Sequence, residues 1–313
     1  MGASMMKGSW KMAVLPLAAA MSAAPGTALA QNAPAPTPAM APAMAAAHDL
    51  THVAGAVWRF RSNAHYGLVM VTAKGAVVVD PINTETAQWL KGELARRLNG
   101  LKVVKVAYSH HDWDHASGAA VFGPVPIVSR VQTVAALVPP NDPAARERFV
   151  KQFADVAPPT ETFAGKVHRI VLDGHVMELR AQPARHATDL SYVWFPAERI
   201  LFVVDVISPG RVPFRDMAEY DEADVKQVLD SALSYKARYI VGGHGAIGND
   251  QSIRDLGGYY AALRKAVADG IARGLSLDAI KQQVTMDSYK SWGDYDAFRA
   301  MNVEGMYRHL TAK

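Results

Sequence analysis

The stretch "KVVKVAYSHHDWDHASG", residues 102–118, sets the tightest limit on what this chain can fold into. Its first half is rich in β-branched residues and reads as a strand. Its second half holds three of the chain's 11 histidines and two aspartates within residues 110–115. Groups of that polarity are not buried without partners, so the strand must end on a rim where they meet one another, water or a metal. The same event recurs downstream: His186 follows "HVMELRAQPAR", Asp205 ends "RILFVV" and His244 follows "ARYIVGG". An acceptable fold brings these four strand ends together.

The remaining periodicities supply the parts. "GAVWRFRS" (55–62), "GLVMVTA" (67–73) and "GAVVVDP" (75–81), separated by turn residues, read as an antiparallel meander. Ala87, Leu90, Leu94 and Leu98 recur at helical spacing, with Thr84 as the expected cap and Gly100 as terminator. "PIVSR" is a strand, and 131–165 reads as helix and loop punctuated by prolines. A second β-rich block follows in "HRIVLDG", "HVMELRAQP", "LSYVWFP" and "RILFVVD". Asp221 caps a helix with Val225, Val228, Leu229, Ala232 and Leu233 on one face. After "ARYIVGG", Leu256, Tyr259, Tyr260, Leu263, Val267 and Ile271 form one helical stripe, with a fresh helix start at Ser276. Two β-rich blocks, each followed by helices, suit a four-layer αββα sandwich, although periodicity alone permits other α+β arrangements.

Composition narrows the setting. Residues 1–30 carry Lys7 and Lys11 before an apolar run broken by Pro16, Pro25 and Gly26, and end in small residues at Ala28 and Ala30, the pattern of a cleaved signal peptide. Residues 31–47 are almost entirely Ala and Pro and read as a tether. Residues 48–313 then form one domain, expected in the periplasm or outside the cell, with no stable membrane insertion once the signal is removed. The net charge is +4, two of it from Lys7 and Lys11, and neither sign is clustered, so nucleic acid is not expected as a partner. With no cysteine, disulfides and thiolate ligands are excluded, and any metal must be held by His and carboxylate.

The order His-x-Asp-x-Asp-His (110–115), His186, Asp205, His244 resembles the metallo-β-lactamase fold superfamily of metal-dependent hydrolases, over nearly the whole of 48–313. The resemblance implies an αββα fold with two divalent metal ions in a cleft at its edge. It assigns His110, Asp112 and His186 to the first ion, Asp114, His115 and His244 to the second, and Asp205 as the bridge. Most members have a second histidine where this chain has Asp112. His111 lies one place too early to replace it, and a frame-shifted reading through His111 would break the offset to Asp114 and His115. The carboxylate makes iron or manganese plausible at the first site beside zinc.

Hydrolysis is the chemistry that the resemblance implies: a hydroxide shared by the ions attacks, and Asp114 orients it and accepts its proton. The substrate is a small molecule with an ester, lactone or related bond. A periplasmic β-lactamase and a sulfate-ester hydrolase are the alternatives, and a metal-binding protein that has lost catalysis is the non-enzyme rival. "ARHATDLS" lacks the Gly-His-Thr-x-Gly-Ser pattern common in β-lactamases. His48, His52, His65, His168, His175 and His309 have no partner at ligand spacing and read as ordinary polar residues. Asp80 reads as a turn former that could also orient a ligand. Trp113 is either packing or cleft wall, Arg211 and Arg215 are solvated residues or anion anchors, and Tyr289, Trp292 and Tyr295 are packing.

Overall fold

The computed structural model describes residues 47–312; the expected signal segment 1–30 and nearly all of the 31–47 tether lie outside the described residues. Among those described, no helix is long and apolar enough to cross a membrane.

The first sheet takes its seven strands in chain order: β1 (His48–Ala54), β2 (Val57–Ser62), β3 (His65–Thr72), β4 (Gly75–Val79), β5 (Val103–Ala107), β6 (Ile127–Arg130) and β7 (Glu161–Phe163). The first four form the expected antiparallel meander. From β4 onward the pairing is parallel, which requires crossovers. Helix α1 (Thr84–Arg97) supplies the first, the short α2 (Trp113–Ala116) lies in the second, and α3 (Val131–Ala136) and α4 (Pro143–Gln152) lie in the third.

The second sheet contains β8 (Val167–Leu172), β9 (His175–Ala181), β10 (Ser191–Phe195), β11 (Ile200–Phe202), β12 (Tyr239–Val241) and β13 (Ile247–Gly248), in the order β13-β12-β11-β10-β9-β8. Here α5 (Glu222–Ser234) makes the crossover that leaves β11 and β12 parallel. Helices α6 (Asp250–Ala272), α7 (Leu277–Gln283) and α8 (Tyr295–Thr311) complete the domain.

The run "GAVVV" shows why the layers stack as they do. It is buried at every position because both faces of β4 are covered. Val77 and Val79 join Leu68, Met177, Val193 and Phe202 between the two sheets, whereas Ala76 and Val78 pack with Leu90 and Leu94 of α1. On the far side, Tyr192, Leu201 and Ile240 meet Val228 and Ala232 of α5 and Ile253 and Leu256 of α6. The layers are therefore α, β, β, α, and the choice that periodicity left open is closed by these three cores.

Three local expectations change, one of them at β7 (Glu161–Phe163), a strand inside the 131–165 stretch read as helix and loop. The meander begins one strand earlier, at β1, where only Leu50 is buried and the sequence carries little alternation. The cap of α1 is Asn83, whose Oδ1 accepts from the Thr86 N–H at 2.8 Å, rather than Thr84. At its other end Leu98 is the capping residue and Gly100 follows at φ +79°. Asp221 and Ser276 cap α5 and α7 as expected.

Candidate metal centre

The 109–116 turn is shaped by backbone bonds that release its side chains. The Ser109 N–H donates to Asp80 Oδ1 (2.8 Å), and the His115 and Ala116 N–H groups donate to the Asp112 carbonyl (3.0 and 2.8 Å). Asp112 is thus the N-cap residue of α2, a position where aspartate ordinarily binds the helix backbone. Its side chain makes no such bond. Oδ2 instead lies 3.4 Å from His110 Nε2 and 3.4 Å from His186 Nε2.

Asp205 and His244 reach the same rim because β11 and β12 run parallel, and the Val203 N–H extends their pairing to the Val241 carbonyl. Asp205 itself has φ +62°. Left-handed backbone is uncommon outside glycine, and such strain collects at functional sites.

Four donor atoms form the first cluster. His110 Nε2 is 3.3 Å from His186 Nε2, and these two nitrogens are 3.4 and 3.5 Å from Asp205 Oδ2. With the Asp112 contacts, five of the six separations fall between 3.3 and 3.5 Å. A regular tetrahedron with edges of that length has its centre about 2.1 Å from each corner, the bond length of zinc to nitrogen or oxygen. The other nitrogens of both rings are engaged, His110 Nδ1 with Ser109 Oγ and His186 Nδ1 with Glu219 Oε2, each at 2.9 Å. This fixes which nitrogen faces the cluster.

The second cluster shares the same aspartate. Asp205 Oδ1 lies 3.1 Å from both His115 Nε2 and His244 Nε2. His244 Nδ1–H donates to the Ala64 carbonyl at 2.9 Å. Asp114 Oδ2 sits 3.8 Å from His115 Nε2 and 3.3 Å from His65 Nε2. His65, expected to be a bystander, therefore faces the cleft, and His65, Asp114 and His244 form a set of donors of their own. Nothing in its sequence neighbourhood marks it; the 63–64 turn must first dock on the 243–244 loop.

Buried atoms without partners test whether a cation fits. Both ring nitrogens of His115 and Asp205 Oδ1 are buried and make no hydrogen bond. Leaving such groups unpaired costs about 1–3 kcal/mol each, more when charged. His115 Nε2 and Asp205 Oδ1 are close yet misaligned for a hydrogen bond, as two ligands of one cation would be. Protons reveal the same appetite for positive charge. Burial works to lower the His110 and His186 pKa values, but the Asp112 and Asp205 carboxylates outweigh it and push them up to about 10 and about 12. Burial likewise works to raise Asp205 and Asp112, and the facing histidines hold both well below the usual carboxylate range.

His111 stays out of both clusters. Its Nδ1 meets the buried Asp189 Oδ1 at 2.9 Å, and Asp189 Oδ2 accepts from Thr133 Oγ1 at 2.8 Å. Its Nε2 lies 3.4 Å from Asp112 Oδ1, the carboxylate oxygen turned away from the cluster. Asp189, unnoticed in the sequence, thus anchors the ring beside Asp112. Asp80 is more than a turn former: it is fully buried at φ +53° and holds the chain just before His110. Trp113 is 44% exposed, which leaves its indole at the surface between Asp112 and Asp114. Arg211 pairs with Asp294 and is mostly covered, so it is neither a solvated residue nor a free anion anchor. Tyr289, Trp292 and Tyr295 pack around Tyr259, as expected of packing residues.

The family model of the metallo-beta-lactamase superfamily matches residues 63–244, from the 63–64 turn to the last histidine of the second cluster. Among solved structures, the metallo-beta-lactamase from Pontibacter korlensis is similar at 20% identity and TM-score 0.53, covering 67% of this chain and 98% of that chain. The stereoselective inverting sec-alkylsulfatase Pisa1 from Pseudomonas sp. is similar at 17% identity and TM-score 0.60, covering 84% of this chain and 50% of that chain. At these identities the likeness is one of fold. Comparison with curated proteins gives no match. The family match spans more than half of the chain and encloses both donor clusters: the protein belongs to the metallo-β-lactamase superfamily and is a metal-dependent hydrolase.

Proposed function

We propose that this hydrolase works with two divalent ions and opens an ester, lactone or related bond of a small molecule. One observation carries the dinuclear reading: Asp205 presents Oδ2 to His110 and His186 and Oδ1 to His115 and His244. His110, Asp112 and His186 would hold the first ion, Asp114, His115 and His244 the second, with Asp205 between them. Zinc suits the four-donor first set, and the Asp112 oxygen also admits iron or manganese. When bound, such ions lower the pKa of water towards neutrality and polarise the oxygen of the bond to be broken.

The chain's own residues set the rest. Burial works to raise the Asp114 pKa, but His65 and His115 hold it below the usual range, so the carboxylate is ionised and able to accept a proton from the attacking water.

A sulfate ester is the second reading, favoured by the fold likeness to the sec-alkylsulfatase over 84% of this chain. The engagement of Arg211 by Asp294 weighs against it, because the 207–217 loop then lacks that cation as an anchor. Export is part of the proposal and rests on the signal-like pattern of residues 1–30; fractionation of cells expressing the full chain tests it.

The deciding experiment loads the protein with zinc, iron or manganese, counts bound metal, and measures hydrolysis of lactones, aryl esters, β-lactams and aryl sulfates, with stripped protein as control. Two ions per chain and metal-dependent turnover of a lactone or ester are expected. Turnover confined to sulfates transfers the proposal to the second reading, and metal content near zero in folded protein refutes both.

A further inference from the structure

His65 opens β3 opposite Ser62, across a two-residue turn of Asn63 and Ala64. The backbone on both sides of it is tied to one loop. The Ala64 carbonyl accepts from His244 Nδ1–H at 2.9 Å, and the Tyr66 N–H donates to the Gly243 carbonyl at 2.8 Å. That loop is itself pressed against the donors: a Cβ at Gly243 would stand 2.7 Å from His115 Cε1 and 2.9 Å from Asp205 Oδ1. The hairpin tip is thus fixed relative to the second cluster, and the His65 ring enters it. Its centroid lies 4.7 Å from that of His244 and 5.9 Å from that of His115, with Nε2 3.3 Å from Asp114 Oδ2.

We propose that His65 is a protein ligand of the second ion, adding a fifth donor to Asp114, His115, His244 and Asp205. The assignment rests on the dinuclear reading. Asp114 leans towards His65 rather than His115, 3.3 against 3.8 Å, so an ion held by Asp114 Oδ2 has the His65 nitrogen beside it. His65, Asp114 and His244 each offer a donor atom within 4.8 Å of the other two, and His244 belongs also to a second such group with His115 and Asp205, so the two groups meet at His244. Second-site geometry without His65 would leave this half-buried nitrogen facing a carboxylate with only a proton to share. With five protein donors, the second ion would retain fewer positions for water and substrate than one held by four.

The test is a zinc titration of metal-free protein labelled with nitrogen-15 in its histidine rings, followed by NMR, with His65→Ala identifying the His65 signals. The expected result is that the His65 Nε2 resonance moves to a metal-bound position at the second equivalent. In parallel, the second equivalent should bind His65→Ala more than about 100-fold more weakly, beyond the 10–100-fold typical of an orienting neighbour, while the first is unaffected. Thermal melts of the metal-free proteins check that the variant folds. Two equivalents bound with an unmoved His65 ring overturn this inference and leave the dinuclear reading standing. Uptake of a single equivalent by the parent protein overturns both.

Discussion

The two donor clusters are built to different standards. In the first, five of the six donor separations span only 3.3–3.5 Å, His110 is wholly buried, and Ser109 and Glu219 hold the far nitrogens of both imidazoles. In the second, separations run from 3.1 to 3.8 Å, neither ring nitrogen of His115 has a hydrogen-bond partner, and an extra histidine stands at the edge. The difference lies in the support around the donors rather than in their number. A ligand set whose orientation is already fixed loses little freedom on binding, so the first cluster should take its ion first and hold it longer. The second cluster has slack for its contacts to change as a substrate arrives.

The most damaging way to break this contrast is to remove what both clusters share. Asp205→Asn should abolish detectable turnover and lower metal content from two ions to one or none, with the fold retained; elemental analysis and circular dichroism read both. Full occupancy at parental rates would show that Asp205 does not bridge. Next, Asp112→Ala should empty the first site alone, whereas Asp112→His should refill it with a shift towards zinc when loaded from a zinc, iron and manganese mixture. Loss of both ions in Asp112→Ala would mean that the clusters are not independent.

A smaller effect is expected from His111→Ala, which removes the ring between Asp112 and the buried Asp189. Affinity for the first ion should fall about 10–100-fold, with full occupancy recovered at saturating metal. Permanent loss of an ion would instead make His111 a ligand and shift the register of the motif. The smallest change belongs to Glu219→Gln. Its carboxylate is 58% exposed, and an amide still accepts a hydrogen bond from His186, so calorimetry should find affinity within a few-fold of the parent.

Much of the first cluster was legible because its members announce themselves locally. His110 and Asp112 crowd the end of an apolar run, His186 follows the alternating run "HVMELRA", and Asp205 ends a run whose β-branched composition is plain. The layered fold was legible for a related reason: "GAVVV" and "ILFVV" are apolar throughout, so both faces of their strands need cover. His65 and Asp189 were not legible, since each acquires its role from a contact between segments far apart in the chain. His65 depends on the tie between Ala64 and His244, 180 residues away, and Asp189 on its bond to His111, 78 residues away. Arg211 is similar, because the partner that covers it is 83 residues distant. β1 and β7 escaped as sheet edges, one with a single buried side chain and the other only three residues long.

That tie between Ala64 and His244 has a consequence for the life of the protein. The donors come from both sheets and from opposite ends of the family-matched segment, so the complete set exists only after every layer has docked. Metal affinity then belongs to the finished structure and adds directly to its stability, by about 2.7 kcal/mol for one site at a free metal concentration a hundred times Kd. Chains caught part-way through maturation gain none of this. When metal supply runs low, the population should shrink through faster degradation, so that scarcity is felt in the number of molecules as well as in the rate of each one.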